Sequence, residues 1–211
     1  MKNALSGRAI VTEKDALAFD DLIFDVVRGL TPQQATRYGL LLADRIITVC
    51  LDICDKTRTE CLSMKEGIDL AWSAFLEGKQ VPRKAQVFCL QGDGRMQTRL
   101  VPSNEDDGLI SALIFTSGNC IADFIDAILD GQQQDASYLS RCIMDLFDVI
   151  RDEDVVDDER LSALWSNEMA AQLSILEQIE LDVELPRAPQ SISFLGNILE
   201  RRTLKNARNK S

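Results

Sequence analysis

The chain has 211 residues, 45% of them hydrophobic and 27% charged, which suits one substantial domain and excludes global disorder. Its 34 acids against 23 bases leave a formal net charge of -11, and no apolar run approaches the ~18 residues that a membrane span requires. Histidine is absent, which removes the imidazole on which most serine, cysteine and metallohydrolase sites depend.

The first segment, Met1 to Asp15, lacks an apolar stretch and carries Glu13 and Asp15, so no secretory signal is expected. Thr12 can cap a helix from about Glu13 to Arg28, with Phe19, Leu22, Ile23, Val26 and Val27 on one face and Gly29 beyond its end. Thr31-Pro32 is a cap followed by proline at the first helical position and opens a helix to about Lys56. Its apolar residues, among them Leu40, Leu41, Leu42, Ile46 and Ile47, go nearly all round, the mark of a central buried helix. Ser63 with Glu66 three residues later has the capping-box pattern and predicts the start or resetting of a third helix that closes at Gly78.

The stretch 79–104 reads differently. Val87-Phe88-Cys89-Leu90, then Gln91-Gly92-Asp93-Gly94, then Met96 to Val101 predicts two short strands around a turn, with a long loop as the alternative. Helices are then expected from about Glu105 to Asp130, ended by Gly131, from Asp135 to Arg151, and from Asp157 to about Glu184, stopped by Leu185-Pro186. A last short helix over about 191–204 would trail into a basic tail, 205–211, expected to fray. The fold class is therefore an all-α antiparallel bundle of six to seven helices in a single domain, 1–211, with an insertion at 79–104.

Charge is distributed unevenly along this chain. Residues 105–184 hold 20 acids and 3 bases, whereas residues 1–104 hold 13 acids and 14 bases and residues 185–211 hold 1 acid and 6 bases. A field of this sign repels nucleic acid and anionic lipid and draws in cationic partners. The plainer reading is a solvated acidic surface that keeps the protein dispersed. Asp123, Asp126 and Asp130 fall at i, i+3, i+7 on one expected helix, and Asp145, Asp148 and Asp152 repeat that spacing on the next. The run Asp152-Glu153-Asp154-Val155-Val156-Asp157-Asp158-Glu159 places six acids in eight positions, of which the last three gain from lying at a helix N-terminus.

Two uses of the aspartate stripes stand side by side. Facing inward, they could hold magnesium through oxygen ligands, as in a helical nucleotide or phosphoester hydrolase. Facing outward, they are the polar arcs of amphipathic helices whose buried arcs carry Phe124, Ile125, Ile128 and Leu146. The six cysteines include no C-x-x-C pair and sit in apolar runs, so they read as small core residues in a reducing compartment. Gly92-Asp93-Gly94 is no phosphate loop, since no G-K-[ST] follows. Trp72 and Trp165 read as core anchors, and the basic tail (Arg201, Arg202, Lys205, Arg208, Lys210) lacks interleaved aromatics, a weak nucleic-acid signal.

The helix with Tyr38-Gly39-Leu40-Leu41-Leu42-Ala43-Asp44-Arg45, the helix with Ala71-Trp72 near its end, and the pair Ile121 to Ala127 and Tyr138 to Asp148 together resemble the all-helical immunity proteins of bacterial polymorphic-toxin systems, contact-dependent or type VI. The resemblance implies a cytoplasmic protein that binds one cognate toxin and blocks its active site or substrate groove, without catalytic residues, metal or cofactor of its own. On that reading the expected partner is a toxin domain with a basic surface, not nucleic acid or a membrane. The residues expected to touch it are Asp123, Asp126, Asp130, Asp145, Asp148, Asp152, Glu153, Asp154, Asp157, Asp158 and Glu159.

Overall fold

Seven α-helices follow one another in a computed structural model of the chain, which describes residues 13–53, 59–96, 105–152 and 158–181. They are α1 (Glu13–Gly29), α2 (Pro32–Ile53), α3 (Thr59–Leu76), α4 (Arg83–Met96), α5 (Glu105–Leu129), α6 (Ser137–Asp152) and α7 (Asp158–Glu180), with a short 3₁₀ turn, Gln133–Ala136, leading into α6. No strand occurs among the described residues, and none of their helices is long and apolar enough to cross a membrane.

Local chemistry sets several of the helix ends. At the start of α2, Gln34 N–H donates to Thr31 Oγ1 at 3.3 Å while Thr31 N–H donates back to Gln34 Oε1 at 3.0 Å, a reciprocal capping box around Pro32. Both α3 and α5 end at a glycine with positive φ, Gly78 at 64° and Gly131 at 77°, a conformation that costs other residues energy. In each case the glycine's amide and the next one close back: Gly78 N–H donates to Phe75 O at 3.1 Å and Lys79 N–H to Ala74 O at 2.8 Å, and Gly131 N–H donates to Ile128 O at 3.2 Å and Gln132 N–H to Ala127 O at 2.7 Å. These are paired Schellman stops, at the two glycines where the sequence places them.

α2 is the central element and packs against α3, α5, α6 and α7. Leu40, Leu42, Ile46 and Ala43 on it are all fully buried, which accounts for its apolar residues on every side. Each of these leucine and isoleucine side chains contributes about 1.5–3 kcal/mol of transfer free energy. Gly39 lets α2 lie directly against α5: a Cβ there would stand 2.2 Å from Cζ of Phe124. Both tryptophans belong to this core. Trp72 donates its indole N–H to Asp44 Oδ2 at 2.7 Å and meets Phe75 edge-on, and Trp165 meets Phe147 edge-on with centroids 6.5 Å apart.

A buried polar network ties α7 to α2 and α6. Arg45 is ion-paired with Glu168, which also accepts a hydrogen bond from Gln172 Nε2 at 3.1 Å. Gln172 Oε1 in turn accepts from the hydroxyls of Ser140 and Tyr38. Burial pushes the Tyr38 phenol well above its ordinary range, which keeps it a donor. At the far end of the same contact, Gln34 Nε2 donates to Ile179 O at 3.2 Å. Every polar atom in the network finds a counterpart, as burial demands.

The hairpin expected at 79–104 is replaced, over its described part, by α4. Val87 to Leu90 have strand-like composition, but Ala85 and Cys89 are four apart and both fully buried on one helical face. α3 receives that face closely: a Cβ on Gly67 would lie 2.6 Å from the Ala85 carbonyl oxygen and 2.7 Å from Cys89 Sγ. Ser63 Oγ donates to the Phe88 carbonyl at 2.7 Å, so Ser63 bridges two helices and does not cap α3, which begins at Thr59. Packing between α3 and α5 thus overrides local β propensity and the turn-like Gly92 and Gly94, which lie within α4. Residues 97–104, the helix expected over 191–204 and the basic tail lie outside the described residues.

Candidate functional site

The aspartates of α5 and α6 are placed by what lies beneath them. Phe124 and Ile125 turn into the core, so Asp123 and Asp130 stand exposed and Asp126 half-buried on the other arc of α5. On α6, Leu146 and Phe147 are buried and Asp145 is exposed. Asp148 and Asp152 belong to α6, Asp158 opens α7, and Glu159 beside it is exposed. Glu153, Asp154 and Asp157 lie outside the described residues.

One member of each stripe meets in a cleft of about 400 Å³ between α5 and α6. Its buried lining is apolar or weakly polar: Phe124, Ala127 and Cys142, with Cys120 half-buried. Its outer lining is polar: Asp123 from α5, Asp135 from the 3₁₀ turn, and Tyr138, Arg141 and Asp145 from α6. Tyr138 is 61% exposed, unusual for so large a ring. Asp130, although on the same stripe as Asp123, is not part of this lining.

The electrostatics of the cleft follow from partial burial and like charge. The Asp123 carboxyl is held above the usual range by burial and then by Asp126 one turn on. On α1, which packs against α6, Asp20 is also raised, chiefly by burial and further by Asp145 and Asp21, against the opposing pull of Arg141. Arg141 is thus the cation set among Asp20, Asp145 and the remaining carboxylates. Beneath them, Cys142 is pushed well above the ordinary thiol range by a hydrogen bond with Cys120, by burial, and by the nearby Cys120, Asp145 and Cys50. Cys142 is thereby held protonated, as an inert core thiol is.

Asp135, Tyr138 and Arg141 line the cleft, and Asp20 is coupled to Asp145 and Arg141 by charge, without any of the four belonging to either aspartate stripe. Asp20 sits on a distant helix, and only the short turn before α6 brings Asp135 to the cleft; neither position has a sequence signature. No group of three or more cysteine, aspartate or glutamate side chains among the described residues is arranged to hold a metal ion. The arrangement offers an amphipathic cleft with an anionic rim, suited to a ligand with an apolar body and a cationic end.

Comparison with protein-family models, with curated proteins and with solved structures finds no match for this chain.

Proposed function

We propose that this chain is a non-enzymatic binding protein that docks an acidic helical surface onto a basic protein partner, as an immunity protein neutralises a cognate toxin such as a nuclease in the cytoplasm. The observation that carries the reading is the 20 acids against 3 bases of residues 105–184, together with the exposure of Asp123, Asp130, Asp145 and Glu159. α5 and α6 pack against each other, and each carries exposed aspartate, Asp123 and Asp130 on the one and Asp145 on the other. Complementary charge of this kind raises association rates by roughly 10- to 1,000-fold and rejects anionic competitors. Seating over a toxin's own basic substrate groove would exclude a polyanionic substrate from it.

The test is co-expression with the product of the neighbouring gene, followed by stopped-flow association of the two purified proteins at several salt concentrations. The expected result is relief of growth arrest, and an association rate that falls steeply with salt and falls again when Asp123, Asp126 and Asp145 are changed to lysine. Absence of binding, or a rate indifferent to salt and to those changes, overturns the reading.

A further inference from the structure

Resting on that reading, we infer that the cleft between α5 and α6 seats a single arginine side chain of the protein partner. Surplus negative charge alone would favour any cation anywhere along the surface; the shape and layering of this cleft are more selective. Its floor, formed by the buried Phe124, Ala127 and Cys142, is apolar and matches the methylene stem of a long side chain. Its rim carries Asp123, Asp135 and Asp145, drawn from three separate elements, α5, the 3₁₀ turn and α6.

A flat guanidinium suits that rim better than a compact ammonium. It presents five donors in a fixed fork and can engage two carboxylates while its face stacks on an aromatic ring. The exposed Tyr138 provides the ring on the same lining. Arg141 marks the site as one that already accommodates a guanidinium at its edge, and an incoming arginine would share the carboxylates with it. At about 400 Å³ the cleft lies in the range of small-ligand pockets, large enough for one such side chain. Deeply seated arginines are among the commonest hot spots of protein interfaces.

The experiment titrates the full chain at low salt with three capped tripeptides, Gly-Arg-Gly, Gly-Lys-Gly and Gly-citrulline-Gly, followed by amide chemical-shift changes. Citrulline keeps the shape of arginine and removes its charge. Arginine peptide is expected to move the amides of Asp123, Ala127, Tyr138 and Asp145, with lysine weaker and citrulline weaker by tenfold or more. Asp123→Asn with Asp145→Asn should weaken the arginine peptide by at least tenfold, and Tyr138→Ala by roughly two- to fivefold. Asp69→Asn with Glu77→Gln, which removes carboxylates on and just after α3, should leave it unchanged, and a thermal melt of each variant confirms that it folds.

If the shifts scatter over every acidic helix, or the α3 control weakens binding as much as the cleft variants, the cleft assignment falls while the acidic docking face stands. If arginine peptide moves no amide at low salt, both fall.

Discussion

Arg45 on α2 and Glu168 on α7, separated by 123 positions, meet as a two-contact ion pair that is almost wholly removed from water, with Nε of Arg45 3.3 Å from Glu168 Oε1. Such a pair gives little net stability relative to apolar residues, but removing one member strands the other charge. Arg45→Met is therefore expected to cost about 3–5 kcal/mol in urea denaturation. The double variant Arg45→Met with Glu168→Leu should cost less than Arg45→Met alone, because no charge is then left unpaired. Strictly additive losses would show that the two residues do not act as a pair.

Gly39 and Phe124 are joined by an absence. A methyl group on Gly39 would stand 2.2 Å from Cζ and 2.3 Å from Cε2 of a ring that is itself buried. Gly39→Ala is expected to cost about 1–3 kcal/mol or more, because neither helix can retreat without opening the core. Phe124→Leu in the same chain should recover part of the loss, which a matched set of thermal melts would reveal. Since Phe124 also floors the cleft, Gly39→Ala should alter arginine-peptide binding despite lying on a different helix.

Asp123 gives the chain a pH dependence of definite sign. Its folded-state value lies above the ordinary 3.8, because burial and the neighbouring Asp126 both oppose ionisation. Between those two values the native chain holds more protons than the unfolded one, so stability falls as pH rises through that window. Above the window the whole penalty is present, and below 3.8 it is gone. Asp123→Asn should accordingly raise Tm at neutral pH, with the gain fading as the buffer is taken to about pH 3.5. A gain that persists unchanged in acid would point to packing instead of charge.

The thiols should separate in a labelling experiment. Burial pushes Cys89 up to about 12, leaving only about one molecule in ten thousand ionised at pH 8. Cys142 is raised too, and Cys50 and Cys61 are buried. Cys120, half-buried at the cleft, is the accessible member of these five. Iodoacetamide on the native chain should therefore modify Cys120 first among them, as read by peptide mass. Early labelling of Cys89 would mean that α4 opens readily from α3.

What could be read from the sequence, and what could not, divides along the range of the interactions. Periodicity and terminal residues are local signals, and they located α1, α2, the stops at Gly78 and Gly131, and the apolar core of α2. α4 escaped that reading because the cause of its helicity lies elsewhere: Gly67 makes room for it, and Val87 to Leu90 taken alone resemble a strand. The Arg45 network was also out of reach. A basic residue on a helix apolar all round hints at a buried partner, but nothing local distinguishes Glu168 among so many acids. In the cleft, helical spacing put Asp123 and Asp145 on outward arcs, whereas Asp20 and Asp135 come into the same field only through the tertiary fold.

The two indoles of this chain are unequal in a way that light can detect. Trp72 shares its N–H with a carboxylate, whereas the Trp165 N–H is buried with no acceptor among the described residues and its ring lies against Phe147. Replacing either one by phenylalanine would leave a single buried emitter, the further blue-shifted where Trp165 remains, because its N–H has no acceptor among those residues to stabilise the excited state. The protein thus carries its own pair of optical gauges, one at the junction of α2 with α3 and the other at that of α6 with α7, through which loosening of either could be followed separately without an added dye.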